Sequence, residues 1–584
     1  HSHLLVKTNN CGLRIAVDFH VIFEDMQKIT LYTAIFLVCS IRLFSQNEFL
    51  SYHPPLKIPL ILAGNFGELR PNHFHMGLDF KTQGKEGFEL HAVEDGYVSR
   101  VKVATYGYGK VVYVDHPNGK TSVYAHCSRF TGKLDSVVRN EQYRAQKFEI
   151  ELFPAAGEIP LKKGEVFALS GNTGGSTAPH LHFEIRDTKT EHAQNPLVYA
   201  FDLPDKRAPE LRKVKVFAVN EQGYLVPGKS QESVIVNTKT GYMIAGDTLK
   251  IPASFCSSFG GVGLSFDIID RLDADENPCG LYGTYLVVDR DTVFGQRTDE
   301  ISFEHSRYVN SHRDLSAMGN QYHKSFRNIS NPLEIYLGDQ LGVIHLLPGE
   351  SKQVQLTAYD PRGNTSNLVF VLQALPGEPA PNYNPSSEQY WYPEEPFLRA
   401  YKNWEVKADS FSIYEPFAVS EHTIPHICDV STPLQKRIIV RMKLEHPKTD
   451  VQKYYIAVTT KKGGKKALTT NYRDGWLEAK TNNAGNFSIQ MDETPPVIKP
   501  VSASVNVTGR QVRFSVTDAH SGIETYNLYI NGVWQLLEYE YKGNYVFFDV
   551  PEGLTGENEV KLVIGDACGN VTEWSKKLNF IAPK

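Results

Sequence analysis

The chain has 584 residues, with 61 Lys and Arg against 66 Asp and Glu, a formal net charge of −5. About 150 residues per domain allows about four domains; 41% hydrophobic and 22% charged residues exclude a disordered or collagen-like chain, and the small net charge without a long Lys/Arg block argues against non-specific nucleic-acid binding. The 30 Tyr, 31 Phe, 44 Gly and 32 Pro favour short strands and turns over helical bundles, and seven Cys are too few for a disulfide scaffold of this size.

Met26-Gln-Lys28 precedes an apolar run from Ile29 to Ile41, which Arg42 ends. A run this short behind a lysine reads as a secretory signal peptide, 26–46, because a spanning helix needs about 20 apolar residues. On that reading residues 1–25 lie upstream of the native start, and the mature form has no membrane span. Leu37 and Val38 stand before Cys39 where a lipoprotein cysteine needs small residues. Five cysteines remain after cleavage: Cys127, Cys256, Cys279, Cys428 and Cys568. An odd number leaves at least one thiol free or paired outside the chain, and Cys256 with Cys279 is the one candidate bridge.

Residues 54–205 form a dense β-sequence, the head. Lys110 to Asp115 and Thr121 to His126 flank Asn118-Gly119, a two-residue hairpin signal. That turn sets His126 opposite Val111 and Tyr124 opposite Tyr113, with His126 and Tyr124 on one face.

Beyond the head lies an internal repeat. Asp360-Pro-Arg-Gly363-Asn364-Thr-Ser366 is echoed by Asp566-Ala-Cys-Gly569-Asn570-Val-Thr572, and Gly280-Leu281 with Leu286, Val288 and Asp289 by Gly522-Ile523 with Leu528, Ile530 and Asn531. Pro209 and Pro495-Pro496 lead in to the two copies, 207–375 and 494–584, which resemble bacterial immunoglobulin-type sandwiches. The first carries a polar insertion around Arg297 to Asn331. A Pro-rich linker, 376–396, and a third β-sandwich, 397–491, lie between them. The fold class is therefore all-β: an antiparallel head followed by about three β-sandwich modules. Asp273-Ala-Asp275-Glu-Asn277 opens like a calcium loop, but Pro278 replaces the glycine and no twelfth-position Glu follows, so it reads as a solvated turn.

Three head segments carry chemistry: Arg70-Pro-Asn-His73-Phe-His75-Met-Gly-Leu-Asp79-Phe; Val123-Tyr124-Ala-His126-Cys127; and Ser170-Gly171-Asn-Thr173-Gly174-Gly175-Ser176-Thr177-Ala178-Pro179-His180-Leu-His182-Phe-Glu184. His75 and Asp79, four apart, share a face on a strand or a helix, and His180 and His182 share one face of a strand. Imidazole nitrogens with a carboxylate oxygen suit Zn²⁺, and three protein ligands plus water is the catalytic pattern. No Cys pairs have structural-zinc spacing.

In this order the segments resemble the LytM/lysostaphin-type zinc endopeptidases, family twenty-three of the metallopeptidases. Their signature is His-x-x-x-Asp, then Tyr-x-His, then Gly-x-Thr-Gly with His-Leu-His-Phe-Glu. The core runs Ala92 to Val98 and Gly107 to Val114 are similar too, and the likeness covers roughly residues 65–196. It implies an antiparallel β-enzyme that hydrolyses peptide bonds of bacterial peptidoglycan in the periplasm, the cell envelope or outside. One zinc is then held by His75, Asp79 and His182, with His126 and His180 beside the attacking water as proton-handling residues. His73 competes with His75 on strand parity. Tyr124 is either an oxyanion partner or a packed strand aromatic.

Two features depart from the family. Ala178 stands where glycine is common before Pro-His, which would strain a turn of positive φ. The polar stretch Arg129 to Lys163 is longer than a simple connection and would form a wall or lid over the cleft. Other classes are a metal-free relative that activates wall hydrolases, which would lack ligands present here, and an adhesin with the head as scaffold. The β-modules carry no chemistry of their own and suit spacing or wall attachment.

Overall fold

The computed structural model describes residues 52–584 apart from 257–259, 317–320, 382–389, 420–425, 502–504 and 582–584, so the expected signal peptide lies outside the described residues. In the head, β1 (Leu62–Gly64), β2 (Leu78–Lys81), β3 (Gly96–Val103), β4 (Lys110–Asp115), β5 (Lys120–Cys127), β6 (Ile150–Leu152) and β7 (His180–Asp187) pair antiparallel in the order β1-β2-β7-β5-β4-β3-β6. A second small sheet pairs Glu89–His91, Val166–Leu169 and Arg129–Phe130. Leu78, Phe80, Tyr124, Leu181, Phe183 and Ile185 point into one core, while His182, Glu184 and Arg186 occupy the other face of β7. Strand periodicity thus separates the apolar set from the polar one.

The β4–β5 hairpin departs from the expected two-residue turn. His116 N–H donates to the Lys120 carbonyl (2.9 Å) and Gly119 N–H to the His116 carbonyl (3.1 Å), with Gly119 at φ 75°. The turn therefore holds three residues, Pro117 to Gly119, and Val112 faces Tyr124 while Tyr113 faces Val123. A second irregularity follows at His126, whose φ is 62°. A bulge of this kind re-aims a side chain. Tyr124 therefore turns into the core, and His126 leaves the strand on the opposite face from it.

The stretch after Arg129 forms a helix, α1 (Gly132–Ala145), packed through Leu134, Val138 and Gln142. The expected wall or lid does not form over the cleft at His126 and His180: Asp135, Val138, Arg139 and Gln142 instead line a separate pocket with Asn172, Thr173 and residues of the last module. Ala178 is not among the residues of positive φ, so the strain expected there does not arise.

The repeat survives in three dimensions. Asp360 accepts the N–H groups of Arg362 and Asn364, and Asp566 those of Cys568 and Asn570; the Asn364 and Asn570 amides donate back at 2.6 and 2.8 Å. Ser366 and Thr572 each donate to a carbonyl of the proline lead-in, Pro209 and Pro496. Each copy also gathers three carboxylates, Asp205, Asp270 and Asp360 in one and Asp492, Asp518 and Asp566 in the other, a correspondence absent from the sequence reading. The copies differ in build. In the last, two separate sheets enclose the core around Phe514, Leu528 and Leu562. In the first, the strand Leu225–Thr238 links both halves into one continuous sheet that folds over a core shared by Val214, Leu286 and Leu372. Strands from 397 to 491 form a five-stranded and a four-stranded sheet around Trp404, Ile456 and Phe487.

The insertion after Arg297 has a structural task. Glu300–Ile301 pairs with Ala193–Gln194 of the head, and Ser306 Oγ accepts the Phe74 N–H (3.1 Å). It braces the segment that carries His75. The cysteines correct the sequence expectation: Cys256 and Cys279 are not bridged, and all five among the described residues are free and buried. The Asp273–Asn277 stretch is a turn tied by ion pairs, Lys81 to Asp275 at 2.6 Å and Arg207 to Glu276 at 2.9 Å. No helix of the described residues is long and apolar enough to cross a membrane.

Candidate metal centre

His75 enters the site from the link between Phe74 and β2, where its N–H donates to the Glu68 carbonyl (2.9 Å). Asp79 arrives on β2 and His182 on β7, directly paired in register. Gly77 permits this approach, because a Cβ there would collide with the Phe183 carbonyl. His75 Nε2, Asp79 Oδ1 and His182 Nδ1 converge: 3.0 Å from His75 to each of the others and 2.9 Å from His182 to Asp79. Tetrahedral Zn²⁺ with bonds of about 2.0–2.1 Å needs ligands about 3.3 Å apart. An opening of a few tenths of an ångström accommodates it.

The outer hydrogen bonds decide which ring nitrogens face inward. His75 Nδ1 lies 2.7 Å from the Asn65 carbonyl, which can only accept, so that nitrogen carries the proton and Nε2 presents a lone pair. His182 Nε2–H donates to Glu184 Oε1 (2.8 Å), which turns Nδ1 inward. Glu184 is fully buried; Arg186 holds its other oxygen at 2.6 Å and the Tyr108 hydroxyl donates to the first. The Tyr108 ring also stacks on His182 at 5.2 Å. Arg70 grips Asp79 Oδ2 at 2.6 Å. Two nitrogen lone pairs and a carboxylate oxygen aimed at one point repel each other unless a cation or proton lies between them, so the donor set fits a metal.

The electrostatics agree. Burial lowers the His75 pKa to about 4 against the pull of Asp79, so this ring is neutral. Burial opposes the ionisation of Asp79, yet His75, His180 and His182 hold its carboxyl well below the usual range. Burial also opposes charge on His182, but hydrogen bonds and charge from Asp79 and Glu184 raise it to about 9. Without a metal, His182 takes the proton that the cluster requires, so proton and metal compete for Nδ1.

His126 and His180 flank the cluster. Their rings lie 4.8 Å apart, and His180 Nε2 is 3.4 Å from Asp79 Oδ1. The His126 Nδ1–H donates to the Thr173 carbonyl (2.8 Å), and His180 Nδ1 lies 2.8 Å from the Ala178 carbonyl and 3.1 Å from Ser176 Oγ. Each ring therefore turns its Nε2 away from these anchors. Burial, reinforced by the charges of His182 and His180, lowers His126 to about 3. The loop holding these anchors needs Gly174 (φ 71°), where a Cβ would strike the backbone of Gly107 and Gly109. A cleft of about 660 Å³ opens over Asp79, His126 and His180 between Arg70, the 81–84 turn and residues 175–179.

Of the sequence candidates, His75, Asp79 and His182 meet at one point, with His126 and His180 beside it. His73 is exposed and turned to the Pro71 carbonyl at 3.0 Å, outside the cluster. Tyr124 is fully buried against Phe167 and Phe183, its hydroxyl accepting the Val93 N–H, and does not reach the site. Asn65, Arg70, Tyr108, Glu184 and Arg186 escaped the sequence reading as functional residues. Glu184 alone carried a signal, standing two residues beyond His182 on the same strand face. Replacing it by glutamine is expected to weaken zinc binding about 10–100-fold with the fold retained, the usual range for a partner of a ligating histidine; a competitive chelator titration checks this.

Residues 73–146 match the family model described as peptidase family M23, and residues 417–492 match that of a Zu5-like domain. An uncharacterized metalloprotease of Haemophilus influenzae is 34% identical over 119 residues, 20% of this chain and 19% of that protein. The DD-carboxypeptidase/endopeptidase Mpg of Neisseria meningitidis serogroup B is 31% identical over 150 residues, 25% of this chain and 28% of that one. The chain thus spans under a third of the length of these curated relatives. Among solved structures, the catalytic domain of the antimicrobial peptidase lysostaphin from Staphylococcus simulans is 24% identical, covering 23% of this chain and 86% of that one, with a TM-score of 0.17. The head is an M23-type peptidase domain.

Proposed function

We propose that this chain is an exported, zinc-dependent endopeptidase that hydrolyses peptide bonds in the stem peptides or cross-links of bacterial peptidoglycan. The observation that carries the reading is the convergence of His75 Nε2, Asp79 Oδ1 and His182 Nδ1 within 3.0 Å, with the outer hydrogen bonds turning both ring nitrogens inward. The relatives named as metalloprotease and DD-carboxypeptidase/endopeptidase support the reaction class and the wall substrate.

His75, Asp79 and His182 would hold one Zn²⁺. Zinc in such a site supplies a Lewis acid and makes hydroxide available near neutral pH. The residues around it handle protons and orientation. His126, with its Nδ1–H held by the Thr173 carbonyl, presents an unprotonated Nε2 that can accept the proton of the attacking water. His180, with Nε2 3.4 Å from Asp79 Oδ1 and its ring beside that of His126, is placed to hold a proton for the departing amine. Arg70 fixes the orientation of Asp79 through Oδ2. The cleft over His126 and His180, about 660 Å³, has room for several residues of a peptide. The β-modules that follow read as immunoglobulin-type sandwiches that space the head or attach it to the wall, in the periplasm or cell envelope.

Mass spectrometry of muropeptides after incubating purified peptidoglycan with zinc-loaded protein tests the reading. New free amino and carboxyl ends at one bond type are expected. An unchanged profile at stoichiometric zinc would refute it and favour a wall-binding regulator.

A further inference from the structure

The last β-module does not stand apart from the site. Its strands β8 (Val533–Gln535), β9 (Glu538–Glu540) and β10 (Tyr545–Asp549) face the head, and the turn joining β9 to β10 reaches the loops that frame the metal cluster. Lys542 Nζ on this turn donates to the carbonyls of Asn172 and, at 3.1 Å, Ser176. The Tyr541 ring lies 4.5 Å from that of Tyr106, two residues before the Tyr108 that stacks on His182. Lys110 pairs with Glu538 at 2.9 Å, in side chains only 12% and 17% exposed, and also donates to the Ser128 carbonyl (3.0 Å). The Tyr143 ring meets Trp534 edge-on at 5.4 Å, and Phe148 meets Tyr526 at 6.5 Å.

These contacts matter because of what the 171–178 loop carries. The Thr173 carbonyl holds His126 Nδ1, and Ser176 Oγ lies against His180 Nδ1. Lys542 grips this loop at the residue before Thr173 and at Ser176 itself. An ammonium bridging two carbonyls is a charge-assisted clamp, stronger than neutral hydrogen bonds and sensitive to loss of the charge. We propose that Lys542 is a positioning residue: through the 172–176 loop it fixes the orientation of both His126 and His180, so that the last module is a working part of the active site in addition to any spacing or attachment role. The proposal rests on the proton-handling roles assigned above. The family match ends at residue 146 and the relatives align over at most a quarter of the chain, so nothing in them assigns this role.

The test uses the zinc-loaded chain with Lys542→Met, Lys542→Arg and, as control, Lys577→Met, whose exposed lysine pairs with Glu557 away from the loop. The first readout is amide hydrogen exchange of 172–178, where the Gly175 N–H is bonded to the Gly107 carbonyl (2.7 Å). Lys542→Met is expected to speed exchange at Gly175 about tenfold, with the module interface still protected. The second is the kinetics of a cross-linked muropeptide. Here kcat should fall about tenfold, less than the 10²–10⁴ expected for losing a proton-transfer group outright, with KM and zinc content unchanged. Lys542→Arg should restore both readouts, and Lys577→Met should alter neither. Parental exchange and kcat in Lys542→Met would overturn the proposal. So would a rise in exchange spread evenly over 526–545 in both Lys542 variants, which marks a purely structural tie. If the parent itself releases no muropeptide, the proposed function fails, while the exchange measurement still decides the role of Lys542.

Discussion

Replacing His182 by alanine is expected to strip the head of zinc and of hydrolytic activity together. The substitution removes one of the three proposed ligands and orphans the Glu184–Arg186–Tyr108 network that turns the imidazole inward. Loss of a mere hydrogen-bond partner of a ligand costs about 10–100-fold in affinity, so loss of the ligand itself should exceed about 100-fold. Elemental analysis after dialysis measures it: less than a tenth of an equivalent is expected, against about one in the parent. His73→Ala serves as the control and should retain the full equivalent, because His73 lies outside the cluster. A full equivalent of zinc in His182→Ala would refute the assignment.

His126 and His180 should separate cleanly from the ligands. Removing either is expected to leave zinc and fold intact and to cut turnover of a cross-linked peptide by at least about 100-fold, the lower end for proton-transfer catalysis. For His126 the better substitution is asparagine, since the position has φ 62° and asparagine tolerates the left-handed region more readily than alanine. Metal content, melting temperature and hydrolysis rate on the same preparations check the prediction. Near-parental turnover would exclude that residue from catalysis, and loss of zinc would make it a ligand.

The candidate ligands were legible in part: spacing put His75 on a face with Asp79 and His180 with His182, and the family resemblance chose among them. His180 and His182 share a strand face by the two-residue period, and the antiparallel pairing of β2 with β7 brings Asp79 opposite His182. His126 shows where such reasoning stops. The period puts it with Tyr124, but a three-residue turn shifts the hairpin by one step and a bulge at His126 then turns the ring to the metal side. Neither irregularity has a strong local signature, and a single-residue slip reverses every face beyond it. Tertiary structure favours His75 over His73 as the candidate ligand: the bonds to Glu68 and Asn65 orient His75, and the insertion after Arg297 braces the segment that carries it. Lys542 was illegible for a different reason. It meets the loop at Asn172 across 370 residues of sequence, a contact that no local pattern encodes.

If the chain is exported as proposed, the five buried thiols among the described residues bear on how it reaches its native state in an oxidising compartment. Cys127, Cys256 and Cys428 are fully enclosed and Cys279 and Cys568 are 3% exposed, and burial keeps every one of them in the unreactive thiol form. In the native fold these five thiols are thus shielded from oxidant. In the partly folded chain they are not, because each exposed thiol can form a mixed or mispaired disulfide that the native packing has no room to accept. On the proposed export, maturation becomes a race between burial of these side chains and their oxidation, in which slow pairing of sequence-distant strands prolongs the vulnerable interval.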